Sequence, residues 1–238
     1  MSRSPSAPVF TPKTVAFLRA LKRNNDREWF RARKDDYEAH VRGPLVALLG
    51  RLEPDLAAFA PEFISHPKVS LFRVYRDTRF SNDKSPLKTN AAAHFPHRQL
   101  MKRGAGLYLE VAPGWVWIGG GIYMPERSDL QAIREHIAIH HRKLRRLVGA
   151  AAFTSVVGEL KGEQLTRVPR GFLPDHPAAD LLRHKQFLAS KEYPAAFASD
   201  AGFYPELLRV FRAITPLTRF LNDALLATPA PVREADWG

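Results

Sequence analysis

A pair of β-rich segments in the middle of the chain most strongly constrains its fold. The first is Gly-Leu-Tyr-Leu-Glu-Val at residues 106–111, and the second is Trp-Val-Trp-Ile-Gly-Gly-Gly-Ile at residues 115–122. Both are rich in the β-branched and aromatic residues that strands favour. The tripeptide between them, Ala-Pro-Gly, has the composition of a tight turn. The pattern predicts a β-hairpin near residues 106–122.

Helical patterns lie on both sides of this hairpin. Thr11 and Pro12 suit the N-cap and the first position of a helix, and apolar residues follow at helical spacing. A second helical region begins after Asp26, and a final helix is predicted over residues 205–226. N-terminal helices, a central antiparallel sheet and C-terminal helices together predict an α+β fold.

The limits of the folded region follow from composition. Residues 1–9 are small and rich in Pro and Ser, so we expect a disordered N-terminus. Residues 228–238 are again rich in Pro, and we expect a loose C-terminal tail. Because no internal repeat or linker interrupts the segment between them, we predict a single α+β domain over residues 10–227.

Composition argues against several classes of protein. The 238 residues include no cysteine, which excludes disulfides, thiolate metal sites and thiol nucleophiles. No run of about 18 apolar residues occurs, so no membrane-spanning helix is expected. The N-terminus lacks an apolar secretory segment, and we therefore predict a cytoplasmic protein. A net charge of +12 favours anionic partners through its long-range field.

The most unusual basic segment lies upstream of the hairpin, at residues 73–89. It interleaves cations with aromatic residues and few acids. The charged residues are Arg73, Arg76, Asp77, Arg79, Asp83, Lys84 and Lys88. Because arginine forms bidentate hydrogen bonds with carboxylates and phosphates, the segment is predicted to bind an anion.

Alternating residues over 69–75 favour a strand at the start of this segment. In an extended strand Asp77 and Arg79 share one face, so we expect them to form an ion pair that orients the guanidinium toward a ligand. The alternative interpretation is an ion-pair network that only stabilises the fold. The sequence does not favour one over the other.

The basic segment also resembles the bacterial family of uncharacterised proteins catalogued as DUF2461. The pattern combines an Arg, an Arg-Asp pair, an Arg-Phe pair and an acid followed by Lys. Its members here are Arg73, Arg76, Asp77, Arg79, Phe80, Asp83 and Lys84. Leu87 departs from the family pattern, which usually has Tyr at that position.

Three further segments, beginning at Asn24, Gly119 and Arg170, are similar to the same family. The resemblance covers most of the chain in the same order. It implies a single domain and a set of candidate residues, and it implies no reaction. On the helical side of the anion site we expect Asn24, Asn25, Arg27 and Trp29.

Metal and nuclease chemistry are alternatives for this region. Asp77 and Asp83 could bind Mg²⁺ together with a phosphate, but the many cations around them argue against it, so no metal site is predicted. The hairpin acid Glu110 lacks the lysine two residues later that restriction-like nucleases need. Neither a catalytic residue nor a cofactor follows from the sequence.

Three hypotheses remain. The leading one is a basic pocket that binds a phosphorylated or other anionic small molecule, with nucleotide or phosphoester chemistry as the class if the protein is an enzyme. The second is a nucleic-acid binding module without catalysis, whose affinity would depend steeply on salt. The third is a structural or partner-binding protein in which the Arg-Asp network only holds the fold.

Overall fold

A computed structural model of the chain describes residues 9–77, 79 and 83–227. The predicted loose tail, and the predicted disordered N-terminus apart from Val9, lie outside these residues. Val9 itself packs against the hydrophobic core.

Short and long helices form the N-terminal part of the molecule. They are α1 (Pro12–Arg23), α2 (Arg27–Arg31), α3 (Lys34–Tyr37), a π-helical turn (Glu38–Arg42), α4 (Gly43–Phe59) and α5 (Pro67–Ser70). Thr11 and Pro12 begin α1 as predicted. Asp26 caps α2, because its carboxylate accepts hydrogen bonds from the amides of Glu28 and Trp29 at 2.7 and 2.9 Å.

The central sheet of the described chain is antiparallel throughout. Its strands lie in the order β1 (Ala91–Phe95), β2 (Gly106–Val111), β3 (Trp115–Ile122) and β4 (Phe187–Pro194). Strands β2 and β3 form the predicted hairpin, in which Leu109 is opposite Ile118. This register decides which side chains share a face of the sheet.

Helices and the last strand alternate in the C-terminal part. The helices are α6 (Arg127–Gly149), α7 (Ala151–Val157), α8 (Ala179–Leu182), a 3₁₀-helix (Ala195–Ser199) and α9 (Phe203–Leu226). Helix α9 covers one face of the sheet, where the rings of Phe95 and Phe211 lie 5.3 Å apart. The predicted α+β class is confirmed. No helix among the described residues is long and apolar enough to cross a membrane.

The strand predicted over residues 69–75 is wrong. Pro67 occupies the first position of α5, and His66 caps that helix, so residues up to Ser70 are helical. The chain then makes isolated bridges, from Leu71 to Ala93 and from Tyr75 to Leu87. Residues 71–75 therefore make one bridge to the edge strand β1 and one to Leu87, twelve residues later in the chain, and they do not form a strand.

Candidate functional site

The two faces of the sheet carry opposite kinds of side chain. Leu107, Leu109 and Val111 of β2 point toward α9 and are fully buried. Tyr108 and Glu110 alternate with them and point to the opposite side, which we call the open face. Both are only half-buried, so the open face can receive a ligand.

A cavity of about 760 Å³ lies on the open face. This is within the range of roughly 300–1,000 Å³ that small-molecule sites occupy. We call it the aromatic cavity, because rings dominate its walls. Its side chains include Phe72, His94, Tyr108, Glu110, Trp115, Trp117, Tyr123, Met124 and Leu188.

Two glycines make room for rings in this cavity. A Cβ atom at Gly119 would lie 2.6 Å from the indole ring of Trp117, so glycine allows that ring to lie across the strand. A Cβ atom at Gly106 would lie 2.4 Å from Nε2 of His94. Burial lowers the pKa of His94, so its imidazole is neutral at neutral pH.

Glu110 is the polar centre of the aromatic cavity. The hydroxyl of Tyr108 donates to its Oε2 at 2.8 Å, and Nε1 of Trp115 donates to its Oε1 at 3.1 Å. Burial, followed by the neighbouring Glu110 carboxylate, raises the pKa of Tyr108, so this hydroxyl stays protonated. A carboxylate has about four acceptor positions. Glu110 can therefore accept further hydrogen bonds from a ligand.

A buried ion pair forms the wall of the cavity near the start of α6. Asp129 is only 1% exposed, and Arg103 donates to it from Nη2 at 2.6 Å and from Nε at 3.1 Å. The carboxylate raises the pKa of Arg103, which is therefore a permanent cation. Since each charge is already paired with the other, the pair fixes this wall.

A smaller hollow of about 340 Å³ adjoins the aromatic cavity. We call it the basic hollow, because Lys22, Arg76 and Lys88 line it. Glu110 and Trp115 line both spaces, which are therefore adjacent.

Lys88 stands at the border between the two spaces. Its Nζ lies 4.8 Å from the ring centroid of Phe72, a residue of the aromatic cavity. Burial lowers the pKa of Lys88, and the positive charges of Arg73 and Arg76 lower it further. These three predicted cations are thus close enough to repel one another.

Arg76 is held from one side. Its Nη1 lies 2.8 Å from Oδ2 of Asp83, and the Arg76 side chain is 28% exposed. Among the described residues, its buried Nε has no hydrogen-bond partner. Asp83 therefore engages one end of the guanidinium, while part of the Arg76 side chain stays exposed.

The other predicted cations lie outside the basic hollow. Asp77 and Arg79 form the expected ion pair at 2.7 Å, and hydrogen bonds from Arg79 lower the pKa of Asp77 to about 2. The Arg79 side chain is 77% exposed, and Lys84 is also exposed. Arg73 lines a separate hollow of about 380 Å³ beside Tyr37.

On the helical side, Asn25 has the clearest role. Its side-chain amide exchanges hydrogen bonds with the backbone of Leu87 at 2.9 and 3.0 Å, which fixes the segment that carries Lys88. The Leu87 side chain is fully buried, and this burial accounts for an apolar residue at this position.

The remaining predicted residues on that side do not line the basic hollow. Asn24 donates to the carbonyl of Ala20 and ends α1. Trp29 packs on Phe17 at 5.8 Å, and Arg27 is exposed.

The sequence interpretation missed the aromatic cavity. Its signal was the alternation in the hairpin, which puts Tyr108, Glu110 and Trp117 on one face of the strands and aliphatic residues on the other. In the part of the chain that the structure describes, no cluster of three or more His, Asp or Glu could hold a metal ion.

The fold and these two spaces define an α+β protein with a cavity on one face of its sheet. The chain belongs to the family described as conserved hypothetical protein DUF2461, which matches residues 13–220. The predicted family membership is therefore confirmed. Comparison with curated proteins gives no match.

Proposed function

We propose that the protein binds a phosphorylated or other anionic small molecule in the basic hollow. The observation that carries this proposal is the convergence of Lys22, Arg76 and Lys88 on one concave space. Burial lowers the pKa of Lys88, and repulsion from the charges of Arg73 and Arg76 lowers it further. A bound anion would remove the repulsion and raise that pKa.

The guanidinium of Arg76 supports the same ligand class. Asp83 holds it at Nη1, while the buried Nε lacks a partner among the described residues. The exposed part of the guanidinium can donate charge-assisted hydrogen bonds to a phosphate. The proposed activity is binding, and no reaction is assigned to it. We also infer a cytoplasmic location, because phosphorylated small molecules of the proposed class are formed and used there.

Isothermal titration calorimetry with inorganic phosphate and pyrophosphate tests the proposal. We expect binding by the wild type, and at least about tenfold weaker binding by Arg76→Gln and Lys88→Gln, because each removes a charge-assisted hydrogen bond. Arg145→Gln is the matched control, because Arg145 is also an arginine in a surface ion pair, with Asp180 at 2.7 Å. It should bind like the wild type.

Two results would contradict the proposal. One is the absence of heat with either anion at millimolar concentration. The other is equal weakening by all three variants, which would indicate a general charge effect.

Nucleic acid remains the second hypothesis, and a salt titration tests it. Binding of single-stranded DNA that weakens steeply with salt, and is lost equally in Arg145→Gln, would favour a broad basic surface over the hollow.

A further inference from the structure

We infer that the anion bound in the basic hollow is part of a nucleotide, whose base occupies the aromatic cavity and donates hydrogen bonds to Glu110. This inference rests on the proposed function, since it names the rest of the molecule whose phosphate binds Arg76 and Lys88. It assigns a ligand class to a cavity that anion binding alone leaves unexplained.

The adjacency of the two spaces is the first step. Glu110 and Trp115 belong to both linings, and Lys88 contacts the ring of Phe72 at the border. A ligand with its charge beside Lys88 would therefore extend its uncharged part toward Tyr108.

The aromatic side chains are the second step. Phe72, Trp115, Tyr123 and Met124 are 42–70% exposed around this one cavity, although large apolar side chains are normally buried. Farther in, the ring of Tyr108 meets those of Phe72 and Trp117 edge-on at 6.0 and 5.4 Å. Such surfaces stabilise a planar ring by stacking, which is worth roughly 1–3 kcal/mol per base.

The hydrogen-bonding pattern is the third step. Tyr108 and Trp115 already donate to Glu110, so what this carboxylate offers a ligand is further acceptor capacity. A base with an amino group or a ring N–H supplies the matching donor. The apolar side chains of Phe72, Met124 and Leu188 around it favour a planar ring over a group that carries many hydroxyls.

Calorimetric titrations with a graded set of probes test the inference. The probes are inorganic phosphate, ribose 5-phosphate, adenosine monophosphate and guanosine monophosphate. At least one of the two nucleotides should bind about tenfold more tightly than ribose 5-phosphate, which lacks the base. That nucleotide should also change the tryptophan fluorescence of the wild type, since Trp115 and Trp117 line the cavity.

Two variants connect the effect to the cavity. Trp117→Leu removes the stacking surface, and Glu110→Gln replaces one acceptor oxygen by a donor. Each should weaken nucleotide binding about tenfold relative to ribose 5-phosphate. Trp117→Leu should leave ribose 5-phosphate binding unchanged, whereas Glu110→Gln should not weaken it, because Glu110 also lines the basic hollow and its charge opposes an anion there. Trp29→Leu and Glu135→Gln are matched controls outside the cavity lining, and both should bind nucleotide like the wild type. If Trp117→Leu fails to fold, the nucleotide affinity of Glu110→Gln and the fluorescence change of the wild type still test the inference.

The outcomes separate this inference from the proposed function. Equal affinities for phosphate, ribose 5-phosphate and both nucleotides would overturn the inference and leave anion binding intact. Nucleotide binding that is unaffected by both cavity variants would also overturn it. The absence of binding by every phosphorylated probe would overturn both.

Discussion

The inner and open faces of the sheet are made from alternating residues of the same strands, yet they differ in almost every physical property. Leu107 and Leu109 are fully buried against the core on the inner face. Between them, Tyr108 keeps its hydroxyl in a hydrogen bond with Glu110 on the half-open side. The inner face thus consists of aliphatic side chains that the hydrophobic effect buries. The open face carries rings and a carboxylate, which burial alone does not explain.

This difference separates the side chains that stabilise the fold by burial from those that are free to contact the proposed ligand. The hydrophobic effect accounts for the inner face, since each of its aliphatic side chains gains roughly 1.5–3 kcal/mol from burial. On the open face Trp115 and Tyr123 are 42% and 68% exposed, so folding gains less from them. Their presence around a cavity is better explained by binding.

The largest expected effect tests the inner face. Leu109 lies on β2, the strand between β1 and β3, and its side chain is fully buried. Leu109→Ala should therefore lower the free energy of unfolding by about 3 kcal/mol. For a chain of this size the melting temperature should fall by about 6–12 °C. Chemical denaturation, with Glu110→Gln on the adjacent open-face position as control, measures the difference. Equal losses of unfolding free energy in the two variants would contradict the proposed difference between the two faces.

Local signals explain why this part of the fold was predictable. The hairpin combines β-rich segments with a Pro-Gly turn, and the start of α1 combines Thr11 with Pro12. Residues 69–75 carry an equally alternating pattern, but Pro67 and the His66 cap produce a helical turn first. The wrong prediction there arose because local alternation does not show which partner strand is available.

The site was less predictable because its contacts are distant in sequence. The Asp77–Arg79 pair spans two residues and was expected. The contact of Asn25 with Leu87 spans 62 residues, and the Arg103–Asp129 pair spans 26 residues. Which face of the hairpin α9 would cover was also undetermined, so the open-face rings could not be recognised as a cavity lining.

A charged contact on the inner side sharpens the comparison through pH. Lys191 and Tyr193 of β4 both donate to Glu206 of α9, together with Arg209. Hydrogen bonds from Arg209, and then from Tyr193 and Lys191, lower the pKa of Glu206 from 4.5 to about 2. Its stabilisation is therefore complete above pH 4.5 and is lost as pH falls toward 2.

Denaturation of the wild type and of Glu206→Gln at several pH values measures this contribution. The difference in unfolding free energy between the two proteins should shrink by about 2 kcal/mol between pH 6 and pH 2. The exposed Glu135→Gln serves as control and should show a much smaller change. A pH-independent difference for Glu206→Gln would mean that this carboxylate does not connect the sheet to α9 electrostatically.

The smallest expected effect lies on the open face, at Gly119. An added Cβ would lie 2.6 Å from both the Trp117 ring and the carbonyl oxygen of Ala189, so Gly119→Ala must displace the indole and also shift the neighbouring backbone of β4. Overpacking costs roughly 1–3 kcal/mol, while replacing glycine by alanine recovers roughly 0.4–1 kcal/mol through the unfolded chain. We therefore expect a net loss of about 1 kcal/mol and a shifted tryptophan emission spectrum.

Gly50→Ala is the matched control for this change, because it lies inside α4 and its Cβ would meet nothing within 4 Å. It should raise stability by up to about 1 kcal/mol, without a change in emission. If Gly119→Ala behaved in the same way, the indole of Trp117 would not depend on glycine for its position. The open face would then owe its shape to something other than the missing side chain at Gly119. A loss of stability together with the emission shift would show that this glycine creates the aromatic surface, which is the feature that most separates the open face from the inner one.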